Sequence, residues 1–136
     1  LADGLTAPED RVSLLSGLSL PATDYVRALR VRMRAGSALE HAFARYDAII
    51  TPGYRSEATP ISMRFSEEPD FFGLRTIDGA ANLCGLPGLM MPIGPGAHGL
   101  PTAVCLTGRA DADAVLLAAG QAYQAATEWH VAVPPI

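Results

Sequence analysis

The chain contains no lysine, so all ten of its Lys and Arg side chains are arginines. It has seven serines, but none stands beside another serine and none lies in a Gly-x-Ser-x-Gly sequence. A serine nucleophile needs a neighbouring base, and a serine hydrolase of the elbow type needs that glycine-flanked turn. The sequence therefore predicts that these 136 residues carry no catalytic serine of their own.

Long apolar runs and strong positive charge are also missing. The longest apolar run is far too short to cross a bilayer, which predicts no membrane partner. The net charge is -4, and the one concentration of arginines, in residues 27–34, has the spacing of a solvated helix face. This balance argues against a nucleic-acid partner.

Metal and cofactor motifs are absent as well. The three histidines, His41, His98 and His130, lie far apart along the chain, so the sequence predicts no metal site. The glycine-rich stretch at residues 94–99 lacks the lysine and the following helix of a phosphate-binding loop, and it is interpreted as a flexible hairpin connection. We expect no cofactor.

The chain has only two cysteines, Cys84 and Cys105, and neither has the His and Asp neighbours of a nucleophile. They are predicted to be structural thiols in a reducing compartment, which favours the cytoplasm. The first residue is Leu rather than Met, which predicts that the sequence begins inside a longer product.

Hydrophobic residues make up 49% of the chain, and two interpretations of this excess remain open. It could fill a generous core, or it could leave apolar surface that another part of the protein or a second copy covers. The strands around Ile49–Ile50 and Leu89–Met91 are apolar on both faces, which favours the second interpretation and allows a homo-oligomer.

The local pattern predicts an α/β module in which helices alternate with apolar strands. The expected helices cover residues 8–16, about 21–45, 70–84 and 112–127, with Asp111 as the N-cap of the last. The expected strands cover residues 47–51, 88–93 and 101–107. The first two strands would be parallel and the last two antiparallel, within a mixed sheet.

Residues 82–108, NLCGLPGLMMPIGPGAHGLPTAVCLTG, have the most specific pattern in the chain. Two Gly-Leu-Pro sequences each precede an apolar strand that ends in glycine. This pattern resembles the C-terminal segment of the amidase signature family. The sequence YDAIITP at residues 46–52 resembles that family's Asp-apolar-apolar-Thr-Pro strand end, and residues 113–124 resemble its last helix. The resemblance covers roughly residues 20–130 in one order.

This resemblance implies a large mixed β-sheet covered by helices, of which the chain would hold one part. Residues 1–136 would form a single module, with residues 1–45 helical, 46–110 carrying the strands and a pocket wall, and 111–136 the last helix and tail. The implied activity is hydrolysis of a carboxamide C–N bond through a serine acyl-enzyme. Its Ser-Ser-Lys triad would lie on an upstream segment or chain, and its partner would be a small-molecule amide. The alternative is a non-enzymatic binding or scaffold domain with the same fold.

The resemblance also places five residues where they could face the substrate: Tyr54, Arg55, Arg75, Asp78 and Asn82. Arg75 would suit a polar or carboxylate-bearing amide through a forked contact. Alternatively, Arg75 and Asp78 form an i,i+3 pair on a solvated helix face, and Asn82 joins the helix end to the next strand. Asp78 stands where relatives often have Thr, and other departures follow the second Gly-Leu-Pro, so the resemblance leaves the amide open.

Overall fold

The computed structural model describes residue 4 and residues 8–54, 57–63 and 77–133. Their elements, in chain order, are α1 (Pro8–Gly17), α2 (Ala22–Phe43), β1 (Ala48–Pro52), α3 (Ile77–Cys84), β2 (Gly88–Pro95), β3 (Pro101–Gly108), α4 (Asp113–Ala126) and a short 3-10 helix, Trp129–Val131. The chain divides into two compact units, Leu1–Arg34 and Ala35–Ile136. The first holds α1 and the first part of α2, and the second holds the sheet, α3 and α4.

The predicted α/β class is confirmed, and the described elements start and end close to their predicted limits. The first part of the predicted helix at 70–84 lies outside the described residues. The predicted N-cap of the last helix is wrong, because the residue before α4 is Ala112 and no side chain caps the helix there. Asp111 instead has a φ of 61° in the turn after β3, so its backbone lacks the extended conformation of a capping residue.

In the described residues the sheet has three strands in the order β1-β3-β2, and both ladders are antiparallel. Because β1 and β2 both run opposite to β3, they point in the same direction, as predicted, but no parallel ladder joins them, so the predicted mixed pairing is not seen among the described strands. Because of this shared direction, both end at the same edge of the sheet. The tight turn from β2 to β3 lies at this edge, and the backbone N–H of Gly96 closes it on the carbonyl of Leu100 at 2.9 Å.

The core of this unit lies between α4 and the sheet. Leu116 on α4 and Met91 on β2 are almost completely buried there. Cys105 on β3 is also buried, but it pairs with Met90 and therefore faces the other side of the sheet. Tyr123 on α4 also donates its hydroxyl hydrogen to the carbonyl of Pro92 at 3.2 Å. The helix lies close to the sheet at Gly120, where an added Cβ would lie 2.6 Å from Cδ2 of Leu89.

This close approach predicts different outcomes for the same substitution in two helices. Gly79→Ala in α3 meets no neighbour among the described residues and should stabilise the fold by up to about 1 kcal/mol through helix propensity. Gly120→Ala should lose part or all of that gain, because the end of the half-buried Leu89 side chain must move to make room for the new Cβ. Denaturant unfolding of the two variants measures the difference. Equal stabilisation by both would contradict the close packing of α4 on β2.

Large apolar side chains remain at the surface of the sheet unit. Ile50 on β1 is 63% exposed, Met90 on β2 is 52% exposed and Leu117 on α4 is 62% exposed. Ile50 pairs with Leu106 and Met90 pairs with Cys105, so these two side chains lie on opposite faces of the sheet. Exposed apolar side chains on both faces favour a partner or another part of the protein that covers them. No helix among the described residues has the length and apolar character needed to span a membrane.

We therefore expect the isolated chain to associate or to bind a hydrophobic dye. The exposed faces of β1, β2 and α4 would supply the binding surface, since burying apolar area contributes about 25 cal/mol per Å². Dye fluorescence and sedimentation of the purified chain would measure this. A monodisperse monomer that melts sharply and binds no dye would show that the chain covers its own strands.

Candidate functional site

The edge where β1 ends and β2 turns into β3 carries an open cleft of about 760 Å³. Residues 57–61 line one side of the cleft, and residues of the turn between β2 and β3 line the other. The cleft has the volume of a small-molecule site, and most of the surface that lines it is apolar. Its polar centre is the carboxylate of Glu57.

The Glu57 carboxylate is held by the turn in an arrangement that we call the Glu57 clasp. The backbone N–H of His98 donates to Oε1 at 2.9 Å and to Oε2 at 3.1 Å. Nδ1 of the His98 ring lies 2.9 Å from Oε2, and the backbone N–H of Leu100 is a further donor to the carboxylate. The clasp therefore consists of Glu57, the backbone N–H groups of His98 and Leu100, and the His98 ring.

The donors in the clasp stabilise the ionised form of Glu57. Burial alone would raise the pKa of this carboxyl, but the His98 backbone, the His98 ring and the Leu100 backbone together hold the pKa below its ordinary value. A carboxyl with a lowered pKa stabilises the folded chain above its unfolded-state pKa. That contribution is lost as the pH falls through the lowered value. The Glu57 side chain is only 9% exposed, whereas the His98 side chain is 86% exposed.

Two glycines allow close approaches at this edge of the sheet, and one of them makes room for the Glu57 clasp. A Cβ on Gly96 would overlap the Glu57 carboxylate and would lie 2.6 Å from its Cγ. A Cβ on Gly53, the residue after β1, would overlap the end of the Met90 side chain and would lie 3.1 Å from the Ala103 carbonyl oxygen. The Gly53 N–H also donates to that oxygen at 2.8 Å, which extends the pairing between β1 and β3 by one residue.

The structure describes only part of the predicted substrate wall. Tyr54 follows Gly53 after the end of β1 and is 40% exposed, but it is not among the residues that line the cleft. Arg55 and Arg75 lie outside the described residues, and so does the side chain of Asp78, whose backbone belongs to α3.

Asn82 is exposed in the last turn of α3, ahead of the start of β2. Because β1 and β2 are parallel, the start of β2 lies at the opposite edge of the sheet from the end of β1, where Tyr54 is found. The structure therefore does not place Tyr54 and Asn82 at one edge. The roles of all five residues stay predictions.

The sequence does not single out Glu57, and it assigns His98 only to a turn. The two residues lie 41 positions apart, so no local spacing connects them. The glycine-rich stretch at 94–99 is the one available indication, because a glycine such as Gly96 can mark a close approach. The sequence pattern favours a flexible connection there, whereas the structure shows the turn bonded to Glu57.

A carboxylate that orients an imidazole is one half of many catalytic arrangements. In the cleft, however, the hydroxyl of Thr102 is engaged, since it donates to the carbonyl of Gly94 at 2.8 Å. Within the described ranges, no three His, Cys, Asp or Glu side chains form a group that could hold a metal ion. The contacts of Glu57 that the structure describes fix the carboxylate against the turn between β2 and β3.

Comparison with known proteins gives several relatives of one kind. The A subunit of glutamyl-tRNA(Gln) amidotransferase from Roseiflexus sp. (strain RS-1) is 38% identical over 113 residues, which is 82% of this chain and 23% of that protein. The protein of the same name from Dehalococcoides mccartyi (strain ATCC BAA-2266 / KCTC 15142 / 195) is 32% identical over 110 residues, or 81% of this chain and 22% of that protein. A third, from Trichormus variabilis, is 33% identical over 120 residues, or 82% of this chain and 23% of that protein.

The chain thus spans less than a quarter of the length of these curated relatives, and the match lies in their C-terminal part. No family model matches the sequence. No solved structure matches it either.

Proposed function

Because the chain belongs to the amidase signature family and corresponds to the C-terminal part of its relatives, we propose that it is the C-terminal part of an enzyme that cleaves a carboxamide C–N bond. The complete enzyme would form an acyl-enzyme on a serine, release ammonia or an amine, and then hydrolyse the acyl group. The Ser-Ser-Lys triad would lie upstream of residue 1. The substrate would be a small-molecule amide.

The observation that carries this proposal is the 38% identity over 113 residues to a protein whose name states an amidotransferase subunit. The match includes the region with both Gly-Leu-Pro sequences. The composition supports the location of the triad, because the chain has no lysine that could serve as its base. The chain itself would contribute the three strands, α3, α4 and one wall of the pocket.

We propose that this wall includes the five predicted residues, Tyr54, Arg55, Arg75, Asp78 and Asn82. Tyr54 has the best support, because it follows β1 at the edge that carries the cleft. Arg75 would bind a polar or acidic group of the amide, because a guanidinium donates to such groups through two parallel hydrogen bonds. Asn82 fits a structural role at the end of α3.

A second candidate function is suggested by the names of the relatives. As one subunit of an amidotransferase, the protein would pass the ammonia released from the amide to an acceptor and would not release it into water. The relatives' names give glutamyl-tRNA(Gln) as the compound concerned and indicate that further subunits exist. For this chain, that function would add a protein partner and an acceptor to the amide substrate.

The complete protein tests the proposal. Its reading frame upstream of residue 1 should encode a glycine- and serine-rich stretch with a lysine. The purified protein should release ammonia from a small carboxamide, and replacing the nucleophilic serine by alanine should abolish this release. Release that needs a copurifying protein favours the amidotransferase. An upstream region without that motif would favour the non-enzymatic scaffold domain.

A further inference from the structure

The segment that follows β1 is anchored to the β2–β3 hairpin at two points. At its start, the backbone N–H of Gly53 donates to the Ala103 carbonyl at 2.8 Å. At its end, the Glu57 clasp attaches it to the turn through three hydrogen bonds of 2.9–3.1 Å from His98, with Leu100 as a further donor. Tyr54 lies between these anchors, one residue after the first.

The second anchor, the Glu57 clasp, depends on a few groups in the β2–β3 turn. The turn supplies backbone N–H groups that point at the carboxylate, and such groups bind a carboxylate strongly because the acceptor is charged. Gly96 supplies the space, since any Cβ there would overlap the carboxylate. The Glu57 side chain is largely covered, but the His98 ring is exposed and the bonds between the two residues lie at the surface.

From this geometry we infer that Glu57 is a positioning residue, which ties residues 57–61 on one side of the cleft to the β2–β3 turn on the other and so fixes the shape of the cleft. That the cleft forms part of the substrate pocket rests on the proposed function. The hydrogen bonds of the Glu57 clasp join described residues only. Glu57 acts through the position of the two sides and takes no part in bond cleavage.

The Glu57 clasp makes three substitutions informative. Glu57→Ala removes every bond of the clasp, whereas Glu57→Gln keeps a carbonyl oxygen that can still accept from a backbone N–H. Gly96→Ala leaves the carboxylate intact but displaces it. Glu40→Gln is the matched control, because Glu40 lies exposed on α2 and its replacement removes the same charge.

The kinetic test uses the complete protein and a small carboxamide, with ammonia release as the measurement. For Glu57→Ala we expect KM to rise at least about fivefold while kcat stays within about twofold, because a displaced wall weakens binding without touching the reacting groups. Gly96→Ala should raise KM in the same way. Glu57→Gln should raise KM less than Glu57→Ala, and Glu40→Gln should have the KM and kcat of the wild type. A fall in kcat at unchanged KM would overturn the positioning role.

Amide hydrogen exchange of the same complete proteins separates this inference from the proposed function. In Glu57→Ala the amides of Gly96, His98 and Leu100 should exchange at least about tenfold faster, since the local opening free energy of the turn falls. The Gly96 amide is the informative one, because it donates to the Leu100 carbonyl and not to Glu57. If the wild type releases no ammonia, the proposed function fails, and the exchange data still decide whether Glu57 holds the turn. Unchanged exchange at Gly96 in Glu57→Ala would overturn the inference.

Discussion

The 136-residue chain, purified alone, should release no ammonia from any small carboxamide, whereas the complete protein should turn such amides over. The sequence has no lysine that could activate one of its seven serines, and no serine stands beside another. Without an activated nucleophile, the acyl-enzyme cannot form. Ammonia release at matched protein concentrations measures the difference, which should be complete.

The control is the complete protein with its nucleophilic serine replaced by alanine, which should be as inactive as the isolated chain. Turnover by the isolated chain that disappears when one of its own serines is replaced would contradict the prediction. Adding the isolated chain to the separately produced upstream part should restore turnover if the two parts assemble. Restored turnover would also show that this chain completes the pocket.

Arg75→Ala in the complete enzyme should weaken substrate use strongly while leaving folding nearly unchanged. One charged hydrogen bond to a substrate contributes roughly 1.5–3 kcal/mol, which corresponds to about ten- to a hundredfold in kcat/KM. The loss should be largest for amides that carry an acidic or polar group. Kinetics across small, acidic and aromatic amides, together with the melting temperature, would measure it.

Asp78→Asn is the matched comparison for Arg75→Ala. If Arg75 only pairs with Asp78 on a solvated helix face, both variants should keep wild-type kinetics and lose at most about 0.5 kcal/mol of stability. If Arg75 binds the substrate, only its own replacement should change the amide preference. Unchanged kinetics for Arg75→Ala with all three amide classes would remove it from the proposed wall.

Local patterns in the sequence predict the described helices and strands well, because the side chains of a helix and of a strand each return to the same face at a fixed spacing. The strands β2 and β3 are bounded by glycine and proline at both ends, and these residues interrupt helices and ladders directly. The prediction fails at Asp111, where composition favours an N-cap. There the turn out of β3 takes a left-handed backbone at Asp111, and Ala112 becomes the last residue before the helix.

The Glu57 clasp lies beyond what the sequence can predict, for two physical reasons. The donors in the turn are backbone N–H groups, which every residue but proline carries, so the sequence does not mark them. The partners are 41 residues apart, and only the parallel direction of β1 and β2 brings their ends to one edge. Tyr54 is predicted from the family resemblance, while the carboxylate that anchors its segment is not.

The central position of β3 has a consequence for the order in which the chain can fold. Thr107 faces Ile49 on one side and Gly88 on the other, and the ladder to β1 extends as far as the pair of Ala48 and Gly108. β3 is the last of the described strands to leave the ribosome, so neither ladder can form before residues 101–108 are made. The ladder between β1 and β3 must close the loop between Pro52 and Val104, which is more than a third of the chain, and this slows folding relative to local contacts. A nascent chain stopped before residue 101 would have β1 and β2 but no strand to join them.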